Sequence, residues 1–159
     1  MKTVFLIFVA LMFSVAVFAQ TKSVTDQPKN YDKQLAQKLG ADDFGMKSYV
    51  LVNLITGPAD KEITNEKRRN EIFAGHFANM TRLANEGKLV IAGPFSDALP
   101  YRGLFIFNVK TIEEAVELVL TDPAIKAGIF TYEARKLYAS AALNTIPETH
   151  KKIQKTSIE

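Results

Sequence analysis

The 159-residue sequence contains no cysteine and no tryptophan. Without cysteine there is no disulfide, no thiolate metal ligand, no thiol nucleophile and no lipoprotein-type lipid anchor. The missing tryptophan carries no functional message. Histidine is almost as scarce. His76 and His150 are the only two, and their distance in sequence argues against a histidine-rich zinc or iron site. Neither sign of charge dominates: 20 basic against 17 acidic residues give a formal net charge of +3. That bias is too small to argue for nucleic acid, and no basic patch interleaved with aromatic residues accompanies it. No phosphate-binding loop or dinucleotide fingerprint is present, so no cofactor is expected.

The one long apolar run lies at 4–18, behind the positive charge of Lys2 and ahead of Val17-Phe18-Ala19. This is the pattern of a secretory signal peptide over 1–19, cut before Gln20. The run is short of the roughly 20 residues that span a bilayer, so export is expected, to the periplasm or beyond, with no stable membrane anchor afterwards. Loss of Lys2 brings the net charge of the mature chain to about +2 (19 basic against 17 acidic residues). The next segment, 20–45, reads as a polar linker. It carries a short helix that presents Tyr31, Leu35 and Leu39 and stops at Gly40.

A first strand is expected over 49–55, apolar on both faces except at Asn53. Thr64 or Asn65 then caps a long helix that runs to about Glu86. His76, Phe77, Met80, Leu83 and Ala84 recur on one face of it, so the only histidine in the body of the chain points inward. Gly75 within this helix costs roughly 1 kcal/mol against alanine, which points to close packing or a close ligand. Gly87 ends the helix. The run 89–92 is a buried strand closed by Gly93-Pro94, and a third strand spans about 102–109. Thr111-Ile-Glu-Glu114 is a capping box for a second helix that stops at Thr121-Asp-Pro123. A half-exposed strand then alternates Phe130, Tyr132 and Ala134 with Thr131, Glu133 and Arg135.

Strand–helix–strand–strand–helix–strand is the split βαβ, ferredoxin-like arrangement, an α+β fold with one antiparallel four-stranded sheet and both helices on one face. The other sheet face is also apolar and needs a cover, and a homodimer through that face is the simplest one. The core domain is expected over 46–139. The segment 140–159 is a tail without clear periodicity, and there is no internal repeat.

Residues 46–139 resemble the YciI-like (YCII-related) proteins of the dimeric α/β-barrel superfamily. The likeness rests on the helix carrying His76, on Glu86-Gly-Lys-Leu-Val-Ile-Ala-Gly-Pro94 and on Arg102-Gly-Leu-Phe. It continues with Thr111-Ile-Glu-Glu-Ala and with Asp122-Pro-Ala-Ile-Lys-Ala-Gly128. The 31–44 stretch and the tail are similar to those of exported bacterial members. The resemblance implies a His–Asp pair in a small-molecule pocket, here His76 and Asp122. It also implies kinship with lyase-like or dehalogenating enzymes of small oxygenated aromatic rings and, more distantly, with muconolactone isomerases. The sequence departs from the family at Lys136-Leu-Tyr138, where a proline-aromatic ending is usual, and this touches the expected pocket rim.

In the chemical reading, His76 is a general acid/base and Asp122 fixes its tautomer. The pair would move a proton beside a carbonyl or enol without a cofactor, in lyase or isomerase chemistry on small cyclic carbonyl or phenolic compounds. The bland reading is a satisfied core histidine, with Asp122 capping a helix that starts at Pro123. Gly93 and Pro94 end a strand and offer their backbone to the pocket. Arg102 holds an anionic substrate or is a solvated edge charge. Lys67-Arg68-Arg69 reads as a solvated helix face, and Tyr49 and Phe73 as core. Two rivals stand beside the enzyme: a binding protein with the same pocket and no turnover, and a purely structural dimerisation module.

Overall fold

In a computed structural model of the chain, residues 28–97 and 99–156 are described. The expected signal peptide and the first part of the polar linker, 20–27, lie outside them. Among the described residues, no helix is long and apolar enough to cross a membrane.

Strand β1, Met46–Thr56, organises the sheet. Its alternation places Val50, Val52 and Leu54 on one face, all buried, and Leu51, Asn53 and Ile55 on the other, all half-buried. It pairs antiparallel with β3 (Tyr101–Phe107) on one side and β4 (Phe130–Ser140) on the other. Strand β2, Leu89–Pro94, pairs with β3, giving the order β2-β3-β1-β4. The even-numbered face of β1 meets Phe105 and Phe107 of β3, and these side chains with Leu89, Ile129 and Phe130 form the core floor.

Two main helices cover that floor. Helix α2, Glu66–Asn85, starts at Asn65, whose side chain accepts from the Arg68 amide, so Asn65 and not Thr64 is the cap. It buries Ile72, His76 and Leu83. Helix α3, Ile112–Val119, starts with the expected capping box of Thr111 and Glu114 and buries Ala115 and Val119. The second helical stretch does not run straight into β4. After α3 the chain turns and begins a separate four-residue helix, α4, at Pro123–Lys126, capped by Asp122. Gly128, at φ +72°, turns the chain back into β4.

The short helix before Gly40 forms, and the tail is more ordered than its sequence indicates. Helix α1, Lys33–Leu39, is capped by Asp32 and ends at Gly40 in the left-handed region. The tail forms a 3-10 turn, Ala141–Thr145, and helix α5, Ile146–Ile153. The turn packs against α1, β1 and β2, and Asn144 donates to the Leu39 carbonyl. It also covers Tyr49, which is 1% exposed and whose hydroxyl lies 3.3 Å from the carbonyls of Ser140 and Ala141. Tyr49 is therefore core, but core of the face opposite α2 and α3, closed by the tail.

Candidate functional site

The site is built where α2 crosses the sheet beside α4. His76 is 6% exposed and Asp122 is 0% exposed. The His76 Nδ1 and Asp122 Oδ2 atoms lie 2.6 Å apart. The other carboxylate oxygen of Asp122 accepts from the Ala124 amide at 2.8 Å. A carboxylate can only accept, so Asp122 is the acceptor of the pair and Nδ1 the donor. In a neutral imidazole this selects the Nδ1–H tautomer, with the lone pair on Nε2. Nε2 has no hydrogen-bond partner among the described residues.

Close packing of α2 on α4 makes this contact possible. A Cβ built on Gly75 would lie 2.9 Å from Cγ of Pro123, the residue after Asp122. Gly75 thus admits the start of α4, not a ligand, and brings Asp122 within reach of His76.

His76 lines a pocket of about 340 Å³, whose walls include Leu54, Phe73, Phe77, Met80, Phe105 and Phe130. The imidazole stacks on Phe105 with centroids 6.0 Å apart and meets Phe77 and Phe130 edge-on at 5.4 and 5.6 Å. Such contacts hold a ring in place at an apolar surface. Phe73 belongs to this wall as well as to the core edge, which corrects its reading as core alone. Gly93 and Pro94 line the pocket. Gly103 lets β3 approach them, because a Cβ there would sit 2.6 Å from the Gly93 carbonyl oxygen. Asp122 is not in the lining; it reaches the pocket only through His76.

Arg102 also lines the pocket, and it is not a solvated edge charge. Its side chain is 26% exposed, and its NH1 lies 3.1 Å from Asp60 Oδ2. The other oxygen of Asp60 is held by Arg69 NH2 at 2.5 Å, and Arg69 NH1 donates to the Asp60 carbonyl oxygen at 2.9 Å. The two guanidinium groups lie over pocket rings, Arg102 over Phe130 at 5.3 Å and Arg69 over Phe73 at 5.4 Å. Arg69 therefore leaves the solvated face on which the run 67–69 would place it. Burial pushes the Asp60 carboxyl up, but the Arg69 hydrogen bond and the charges of Arg102 and Arg69 outweigh it. The group is held below the usual carboxylate range. Asp60 and Arg69 are the site residues that sequence reasoning misses, since no local pattern ties a loop aspartate to Arg102, 42 positions on.

A second hollow of about 230 Å³ lies on the β2–β3 connection, lined by Phe95, Ser96, Asp97, Leu99 and Tyr101. It shares Arg102 with the larger pocket and lacks the His–Asp pair. The departure at 136–138 lies toward the far end of β4 from the pocket-lining Phe130, about 20–26 Å along the strand at roughly 3.3 Å per residue. There Tyr138 donates to Asp42, so this substitution leaves the His76 pocket untouched. No group of three or more potential metal ligands occurs among the described residues.

The YCII-related domain family matches residues 51–137, more than half of the chain, and the chain belongs to that family. Over 63 residues it is 38% identical to the uncharacterized protein YjpA of Bacillus subtilis (strain 168), a match covering 40% of this chain and 72% of the relative. Among solved structures, it is similar to 5-chloro-2-hydroxyhydroquinone dehydrochlorinase (TftG) from Burkholderia phenoliruptrix AC1100, in complex with 2,5-dihydroxybenzoquinone. That likeness has 21% identity and a TM-score of 0.42, covering 55% of this chain and 90% of the other.

Proposed function

We propose that the chain is an exported, homodimeric acid/base protein. In this reading it carries out cofactor-free lyase or isomerase chemistry on small cyclic carbonyl or phenolic compounds. The observation that carries the proposal is the 2.6 Å contact between His76 Nδ1 and Asp122, with the imidazole in the wall of a mostly apolar pocket. His76 is the catalytic residue. Its Nε2 takes a proton from a ring carbon next to a carbonyl, and the electron pair moves onto the carbonyl oxygen to give the enolate. Return of that proton to another ring atom completes an isomerisation; departure of a group on the adjacent carbon with its electron pair completes an elimination. Asp122 is a positioning residue that holds Nδ1–H and stabilises the imidazolium as it forms. Gly93, Pro94 and Arg102 line the ligand's surroundings. Leu51, Leu104 and Ile106 are half-buried on the face opposite the helices, and a second copy of the chain covers them.

The test is deuterium exchange by NMR on a panel of small cyclic ketones, enones and phenols in D2O. Protein-dependent exchange at one ring carbon is expected. His76→Ala should abolish it, and Asp122→Asn should slow it by about 10²-fold or more, the usual scale of general acid–base catalysis. Absence of exchange above buffer with every compound would sink the enzymatic reading.

A second reading, binding without turnover, is favoured by one observation. Among the described residues, the pocket lining offers no proton-exchanging side chain besides His76, so every proton step falls to a single group.

A further inference from the structure

Resting on that reading of the pocket, we infer that its ligand is a flat monoanion, and that Arg102, Asp60 and Arg69 act as one anchor for the negative group. The pocket lining carries two polar side chains, His76 and Arg102, and both touch the same ring. The Phe130 centroid lies 5.6 Å from the His76 centroid and 5.3 Å from Arg102 Cζ. Both polar groups therefore lie beside one ring in one pocket, and a ligand seated next to Phe130 comes within reach of the imidazole and the guanidinium together. Aromatic side chains and the edges of β2 and β3 enclose the space between them, which suits a ring or a conjugated chain better than a sugar or a peptide.

The charge of the ligand follows from how Asp60 is shared. An Arg102–Asp60 pair alone would be neutral and would give an anion little reason to leave water. Arg69 holds the other oxygen of the same carboxylate, so the three groups carry a net charge of +1. The surplus is presented by Arg102, whose NH1 alone is engaged among the described residues. Its remaining N–H groups can hold a carboxylate or phenolate in the forked geometry that guanidinium favours. The side-chain contacts of Arg69 are with Asp60, Ile63 and Phe73, and it is absent from the pocket lining, so it acts on the ligand only through Asp60. The Asp122 carboxylate behind the imidazole disfavours a second negative charge at that end. The anionic group therefore seats on Arg102, and the reacting end of the ring lies at Nε2.

The experiment compares benzoate with its neutral isostere benzamide. Each is titrated at low salt into the full chain with carbon-13-labelled histidine. The ring signals of His76 are followed, with those of His150 as the internal control. Benzoate should shift His76 alone and bind at least about tenfold more tightly than benzamide, the scale of one charge-assisted hydrogen bond. Arg69→Gln should reduce that preference to about twofold or less, although the side chain does not line the pocket. Arg69→Lys, which keeps the charge, should retain most of it. Arg68→Gln, one position away in an exposed pair with Glu71, should change nothing. Equal binding of acid and amide, with His76 shifting for both, would overturn the anion anchor and leave the pocket standing. A preference undiminished by Arg69→Gln would overturn the three-residue unit. No shift of His76 with either probe would overturn the anchor and the pocket together.

Discussion

Replacing Gly75 by alanine is the sharpest test of how the site is held, because helix preference and steric packing oppose each other there. Alanine in a helix interior is favoured over glycine by about 1 kcal/mol. The new Cβ would lie 2.9 Å from Pro123 Cγ and 3.3 Å from Pro123 Cβ, whereas carbon atoms rest at about 3.5–4.0 Å. The proline ring is stiff, so α4 itself must retreat by about 0.6–1 Å. Overpacking of this kind costs about 1–3 kcal/mol, leaving a net loss of about 1 kcal/mol.

The effect on the site should exceed the effect on the fold. Asp122 precedes Pro123 directly, and a retreat of that size stretches the 2.6 Å contact with His76 to or past the upper end of the range of about 2.7–3.2 Å usual for an N–H···O bond. Urea denaturation reads the first quantity. The chemical shift and solvent exchange of the His76 Nδ1 proton read the second. A variant that gains about 1 kcal/mol while its His76 signals stay unchanged would refute the argument that Gly75 sets the distance between the helices.

Two further outcomes follow from the charges and the sheet. The carboxyl of Asp60 lies below its ordinary value in the folded chain. Its contribution to stability is therefore present above the unfolded value, about pH 4, and is lost as pH falls through the lower folded value. Asp60→Asn should flatten the stability profile on the acid side of about pH 4, and an unchanged acid slope by urea denaturation would contradict the ion-pair account. On the open sheet face, Ile106→Lys should convert the proposed dimer to monomer in sedimentation velocity, with far-UV circular dichroism unchanged. A wild-type chain that sediments as a monomer would remove the second copy as the cover.

What was legible in the sequence was whatever local chemistry repeats. The period of α2, the Thr111–Glu114 box and the alternation around Phe130 each locate an element on their own. Asp122-Pro123 was legible as a helix start, and the structure uses it so, for a helix of four residues. The Asp60 bridge was not legible, because an ion pair across a fold leaves no trace in spacing. Arg69 looked like its neighbours Lys67 and Arg68 because its departure from solvent depends on Phe73 and Asp60 lying within reach. The tail was obscure for a similar reason. Ala141 is buried against Tyr49, a contact across 92 positions, and the short 3-10 turn that makes it has too few residues to show a period.

Asp122 divides its carboxylate between two duties, with one oxygen on the first turn of α4 and the other on His76. The two residues are therefore exposed to mutation unequally over evolutionary time. Under the acid/base reading proposed above, a descendant that gave up chemistry would still need the aspartate to begin α4, so Asp122 would persist as architecture. His76 has no second duty of that kind, and a phenylalanine or leucine would fill its place among the surrounding rings. Loss of activity in a lineage should thus be read at position 76, while an intact aspartate at 122 is no certificate of catalysis.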